Sequence, residues 1–149
     1  MVDRVNIQAF IYTSNQRTTF LLLKRTLEKG GFWQPVSGGI EKDEQPTHAV
    51  KREIFEETGI NEIVQITDLQ FTYTFNATKD NIKMKMKDIC YGVEVLSLKP
   101  VSLSLEHSMY KWCTKEEAEG YLEWEYSRLA FKKLLSYIDI KSDQPEISG

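Results

Sequence analysis

Cysteine is scarce in this chain, and the two present, Cys90 and Cys113, match no spacing that holds a metal or a redox couple. The expectation is two reduced, buried thiols rather than a disulfide framework. Long apolar runs are missing too: segments such as Phe20 to Leu23 fall far short of the ~20 residues that cross a bilayer. No charged-then-apolar leader precedes the first apolar segment, so the reading is a cytoplasmic protein with no membrane partner. Charge of one sign is not in excess. A net charge of −3 argues against a large nonspecific surface for a nucleic-acid polymer. Repeats and low-complexity tracts are absent as well. His48, early in a helical stretch, has no acid or cysteine arranged around it as a triad and reads as a surface residue.

What is present is ordinary globular material, 149 residues with 41% hydrophobic and 28% charged, enough for one domain with a real core. Residues 1–140 are read as that domain and 141–149, polar with a proline, as a flexible tail. Val2 to Tyr12 and Thr18 to Arg25 read as strands, with a turn at residues 13–16. Leu27 to Gly31 is a glycine-ended loop, and Trp33 after it reads as a packing residue. Leu69 to Phe75 alternates with period two, residues 76–81 form a polar turn, and 83–95 make the return strand. Lys83, Lys85 and Lys87 either attract an anion or protect an edge strand from aggregation. Leu105 to Trp112 is a further strand, and Thr114 with Glu117 has the spacing of a capping box. Glu123 to Ile138 closes the series as a helix with Tyr126, Ala130, Leu134 and Ile138 on one stripe. This order predicts an α+β fold, a mixed sheet between helices in an α/β/α sandwich.

The chemistry concentrates in Gly38 to Ile60, GGIEKDEQPTHAVKREIFEETGI. Pro46 suits the first helical turn and Gly59 the residue past the last one. Between them Glu53, Glu56 and Glu57 stand at i, i+3 and i+4, sharing one face, while Val50 and Ile54 turn to the core. Three carboxylates so close repel one another, and a divalent cation removes the repulsion. Several hard oxygen ligands without sulfur point to Mg²⁺, with Mn²⁺ as the alternative, rather than zinc. Arg52 can pair with Glu56 one turn on or with Glu44 from the loop, holding the carboxylates in place. Gly38 and Gly39 are read as letting a phosphate or metal approach the main chain. Arg25, at a strand end, either contacts phosphate or decorates the surface.

Gly38, then Glu44 after five residues, then Arg52-Glu53-Ile54-Phe55-Glu56-Glu57-Thr58-Gly59-Ile60 after seven more, resembles the Nudix box at every specified position. The resemblance implies the Nudix sandwich fold and hydrolysis of a nucleoside diphosphate, or a related diphosphate, linked to another group. It implies Glu53 and Glu57 as principal metal ligands and Glu56 as a further ligand or proton acceptor. Glu44 and Gly59 are structural members of the motif, and Arg52 belongs to the same catalytic machinery. Two further segments, Phe32 to Gly38 and Glu106 to Trp112, together with Tyr126-Ser127-Arg128, are similar to the subgroup containing dihydroneopterin triphosphate and dATP pyrophosphohydrolases. That narrower resemblance implies Glu106 as a metal ligand or general base, where the alternative is an ordinary loop acid. Ser127 departs from the asparagine common in that subgroup, which leaves the substrate open.

The activity expected is therefore a Mg²⁺-dependent pyrophosphohydrolase of a nucleotide or pterin triphosphate, acting as monomer or homodimer. Hydrolysis of another conjugate (dinucleoside polyphosphate, nucleotide sugar or oxidised nucleotide) is the alternative within enzymes. A noncatalytic ligand-binding module is the alternative outside them, although such modules typically lose box carboxylates and this chain keeps each one. Phe71, Tyr73, Tyr110 and Trp124 are all candidate platforms for a ring.

Overall fold

Seven strands form one mixed sheet in the structure, a computed structural model that describes residues 1–138. The strands are β1 (Arg4–Thr13), β2 (Thr19–Arg25), β3 (Trp33–Gln34), β4 (Val36–Gly39), β5 (Ile63–Lys79), β6 (Ile82–Val95) and β7 (His107–Cys113). Helix α1 (Pro46–Thr58) follows β4, and α2 (Lys115–Tyr121) and α3 (Glu125–Leu135) follow β7. The main path runs β3-β2-β1-β6-β5, with β4 on β1 and β7 on β2. The β1–β6 pairing is parallel and the others are antiparallel.

Period-two alternation divides each central strand between two cores. Ile7, Ala9 and Ile11 of β1, with Leu21 and Leu23 of β2, meet Ala49, Val50 and Ile54 of α1. Phe10, Tyr12, Phe20 and Leu22 point the other way and meet Ala118, Leu122, Ala130, Phe131 and Leu134. Each Leu, Ile, Val or Phe side chain among them taken fully out of water contributes about 1.5–3 kcal/mol. The sheet is therefore held between α1 on one face and α2 with α3 on the other, the α/β/α arrangement expected.

The helix ends follow the local rules. Pro46 occupies the first turn of α1, and Gly59 caps it at φ 78°, its N–H donating to Phe55 O. The Thr114–Glu117 capping box opens α2, with Thr114 N donating to Glu117 Oε1 at 2.9 Å and Glu117 N to Thr114 Oγ1 at 3.2 Å. Cys90 and Cys113 are free and buried.

Several boundaries differ from the sequence reading. β5 is far longer than residues 69–75, because its alternation is broken by a register shift between Asp68 and Thr72. At the shift Gln70 takes φ 52° and donates its N–H to Asp68 Oδ1 at 2.8 Å. The polar turn shrinks to Asp80 and Asn81, both left-handed at φ 53° and 65°, which matches the twist of a tight hairpin. The strand carrying Lys83, Lys85 and Lys87 is not the edge: β6 lies between β1 and β5, and β5 is outermost. β7 begins at His107 rather than Leu105, and α3 at Glu125 with Ile138 beyond its end. The tail read at 141–149 lies outside the described residues. No helix among the described residues is long and apolar enough to cross a membrane.

Candidate active site

Two pairings in the sheet bring the chemistry together. β4 runs antiparallel to the first half of β1, with Asn6 opposite Gly39 and Gln8 opposite Ser37, and so delivers α1 beside β1. β7 pairs with β2 so that His107 meets Arg25, which brings Glu106 to the same end of the sheet. Between them opens a cleft of about 790 Å³ whose lining includes Glu53, Glu56, Glu57, Glu106, Arg25, Gly38 and Gly39.

Arg52 sets the carboxylates. Its Nε and Nη2 donate to the two oxygens of Glu44 at 2.8 and 2.9 Å, a bidentate pair. Nη1 donates to Glu53 Oε1 at 2.7 Å and, more weakly, to Glu56 at 3.3 Å, while Nη2 also reaches Gly39 O at 2.9 Å. Glu44 is tied further by the Glu41 N–H at 2.9 Å and by His48 Nδ1 at 2.7 Å. Hydrogen bonds from Arg52 and the Glu41 N–H hold the Glu44 carboxyl well below the usual carboxylate range. Arg52 does not line the cleft. Its place is behind the carboxylates, as a positioning residue, and His48 stays a surface residue that braces Glu44.

The glycines act through closeness, not through unusual dihedrals. Both lie in the extended strand β4 and neither has a positive φ. A Cβ on Gly38 would collide with the Glu53 carboxylate, and one on Gly39 with the Arg4 guanidinium. The missing side chains make room for two of the chain's own charged groups, and both glycines line the cleft.

Glu57 is the most constrained acid. It is 3% exposed, and its Oε1 has no hydrogen-bond partner. Burial first, then the adjacent Glu53 and the nearby Glu106, push its carboxyl far above the ordinary range, against one opposing N–H from Ser37. His107 Nε2 lies 3.9 Å from that orphan oxygen, too far for a hydrogen bond, and 3.0 Å from Gln34 Nε2. Burial pushes the His107 imidazole down to about 4, with Arg25 adding to the effect. His107 is thus neutral near pH 7, and the contact with Glu57 is not an ion pair.

Two adjacent, dehydrated carboxylates with an unpartnered oxygen are what a divalent cation fits, since it replaces the missing donor and cancels the repulsion. Glu53 and Glu57 form this inner pair. Glu56, with its side chain 54% exposed, and Glu106 are the outer acids on the rim. Among the described residues no three His, Cys, Asp or Glu side chains stand in ligating geometry as they are.

Arg25 and Lys29 line the same cleft. Arg25 donates through Nε to Lys29 O at 3.2 Å, and its guanidinium lies 5.8 Å from the Phe32 ring centre. An aromatic wall continues from there. Phe32 meets Trp124 edge-on at 5.7 Å, and Trp124 lies parallel to Tyr126 at 6.2 Å. Of the four candidate platforms only Trp124 lines the cleft; Tyr73 packs behind Tyr126 at 4.2 Å, and Phe71 leans on the second core. Trp33 packs against Tyr121 at 5.0 Å, as a core residue should.

The profile of the NUDIX domain matches residues 3–133. The chain belongs to the Nudix family. Among curated relatives it is 34% identical over 113 residues to an octanoyltransferase of Myxococcus xanthus, covering 76% of this chain and 31% of that protein. It is 30% identical over 91 residues to an RNA pyrophosphohydrolase of Blochmanniella pennsylvanica, 60% of this chain and 56% of the other. The Nudix chain thus spans about a third to a little over half of these two relatives. Among solved structures, the dihydroneopterin triphosphate pyrophosphohydrolase of E. coli superposes with TM-score 0.76 at 22% identity, over 93% of this chain and 100% of that one. At that identity the likeness is one of fold.

The sequence reading missed Arg4, Asn6, Gln8, Asp88 and Gln34, all in the cleft wall. A signal existed for the first three, since polar residues at alternate positions beside apolar Ile7 and Ala9 mark a strand face that is not core. Asp88, a lone acid entering the apolar run Ile89-Cys90-Tyr91, was another.

Proposed function

We propose that this Nudix domain is a Mg²⁺-dependent pyrophosphohydrolase that cleaves a nucleoside or pterin triphosphate into monophosphate and pyrophosphate. The observation that carries the reading is the buried Glu53–Glu57 pair with the unpartnered Glu57 Oε1 at the head of a cleft. Glu53 and Glu57 would hold the cation, with Glu56 or Glu106 closing the shell. When bound, a divalent cation neutralises phosphate oxygens and makes water more acidic. The remaining rim carboxylate accepts the proton of the attacking water. The water oxygen bonds to phosphorus, the bridging P–O bond breaks, and pyrophosphate leaves with that bond's electrons. Arg25 and Lys29, in the cleft lining, compensate phosphate charge, and Arg52 keeps the acids from swinging apart. The relative named for RNA pyrophosphohydrolysis supports phosphoanhydride chemistry, while the net charge of −3 favours a small substrate over a polymer.

The test is a panel of triphosphates, dinucleoside polyphosphates and nucleotide sugars with Mg²⁺, followed by product analysis. Triphosphates should yield monophosphate and pyrophosphate. Turnover confined to nucleotide sugars or dinucleoside polyphosphates overturns the substrate class. A Glu57→Gln variant that keeps full activity on the best substrate overturns the catalytic assignment.

A further inference from the structure

The hydrolytic reading leaves a second polar cluster in the cleft without a task. Arg4, Asn6 and Gln8 are alternate residues of β1, so their side chains share one face, opposite to Ile7 and Ala9. Asp88, from β6, stands beside Asn6 in the parallel ladder and is 2% exposed. Its Oδ1 accepts Asn6 Nδ2 at 2.9 Å, and its Oδ2 accepts Gln8 Nε2 at 2.8 Å and the Tyr73 hydroxyl at 2.9 Å.

These bonds fix a polarity. Both amides give their N–H groups to Asp88 and so turn their carbonyl oxygens elsewhere. Asn6 Oδ1 accepts Arg4 Nε at 3.1 Å, which leaves one lone pair. Gln8 Oε1 takes no donor among the described residues, and neither terminal nitrogen of Arg4 donates to one. All three residues line the cleft. The cluster therefore offers acceptor, acceptor and donor, in the order Gln8, Asn6, Arg4.

We infer that Gln8, Asn6 and Arg4, oriented by Asp88, read the edge of a planar heterocycle that has two adjacent N–H donors beside a carbonyl. This is the 2-amino-4-oxopyrimidine edge shared by guanine and pterins. Gln8 and Asn6 accept from the amino group and the ring N–H, and Arg4 donates to the carbonyl. Adenine and cytosine present an amino group next to a bare ring nitrogen, which would set acceptor against acceptor. The ring has a surface to lie on, because Trp124 is 44% exposed, lines the same cleft and is held parallel to Tyr126. The inference rests on the proposed function only for what becomes of the phosphates. Asp88 is a positioning residue, since it sets which way the amides face without touching the ring.

Calorimetric titration of the intact protein with GMP, IMP and AMP, without divalent cation, separates recognition from hydrolysis. IMP differs from GMP by the missing amino donor alone. GMP should bind about tenfold tighter than IMP, the value of roughly one good hydrogen bond, and AMP should bind more weakly than GMP. A 7,8-dihydroneopterin arm distinguishes the two sources of the edge, the tighter of it and GMP naming the natural one. Gln8→Leu and Asp88→Asn should each bring the GMP-to-IMP ratio toward one, a change that a merely structural defect would not produce. If either variant fails to fold, the order GMP, IMP, AMP on the unaltered protein decides. Equal affinities for GMP and IMP, tighter AMP, or no binding of GMP or dihydroneopterin at millimolar concentration overturns the inference. Ordered binding without turnover of any triphosphate removes the hydrolytic reading and leaves this one standing. Turnover with equal preference for dGTP and dITP does the reverse.

Discussion

Replacing Gly38 with alanine would place one methyl carbon where the Glu53 carboxylate now rests. The carboxyl carbon and both oxygens would lie under 3.0 Å from it, and ordinary contact begins only at 3.4 Å. The main chain of β4 is pinned to β1 through four successive pairs, so Glu53 has to yield rather than the strand. A withdrawal on the order of 1 Å breaks the 2.7 Å bond from Arg52 Nη1 and parts Glu53 from Glu57. The fold loses little, because the group displaced is the end of a flexible side chain; the expected cost is below about 1 kcal/mol, or a few degrees in Tm. Catalysis loses much, since a misplacement of that size costs roughly 10²-fold. Steady-state kinetics on the best triphosphate, beside a thermal melt, should show kcat/KM down about a hundredfold with Tm nearly unchanged. A folded Gly38→Ala protein within about threefold of full activity would refute the reasoning, for Glu53 would then have been moved without consequence.

Burial and Glu53 hold the Glu57 carboxyl far above its ordinary range and so neutral near pH 7, which makes Glu57→Gln nearly isosteric: the metal-free variant should melt within a few degrees of the unaltered protein while hydrolysing nothing. Adding Mg²⁺ should raise the melting temperature of the unaltered protein and leave that of the variant in place; equal shifts in calorimetry would place the ion elsewhere. Glu44 has a lowered pKa in the folded chain, so its stabilising effect is complete above the ordinary carboxylate range and fades as pH falls toward the folded value. The gap in urea midpoint between the unaltered protein and Glu44→Gln should accordingly be present at pH 7 and shrink below pH ~4.3, and a gap independent of pH would contradict the pairing with Arg52. Phe131 packs on Phe10 at 6.0 Å and edge-on to Phe20 at 4.8 Å, so Phe131→Ala should cost about 3–5 kcal/mol in urea unfolding. A loss under about 1 kcal/mol would mean that α3 is not docked on the sheet as described.

The helix α1, its proline start, its glycine stop and the shared face of Glu53, Glu56 and Glu57 could all be read before any coordinates. They depend on a 3.6-residue period and on caps that act within one turn. The same local physics made β1, β2 and the capping box of α2 visible in outline. The length of β5 was hidden because its register shift moves side chains to the opposite face and destroys the simple alternation. The lysines of β6 were ambiguous for another reason: whether a strand is an edge depends on what pairs beside it, which its own residues do not encode.

The chain's order of residues determined by itself the family, the acidic helix and the class of chemistry, because these follow from spacing along one helix and one loop. Tertiary structure alone decided that Gly38 makes room for Glu53, that Glu57 is the dehydrated acid, and that Asp88 meets Asn6, Gln8 and Tyr73 across two strand pairings. Contacts between residues some eighty positions apart arise from sheet pairing and from exclusion of water by both cores. Those are properties of the folded whole, and no local pattern carries them.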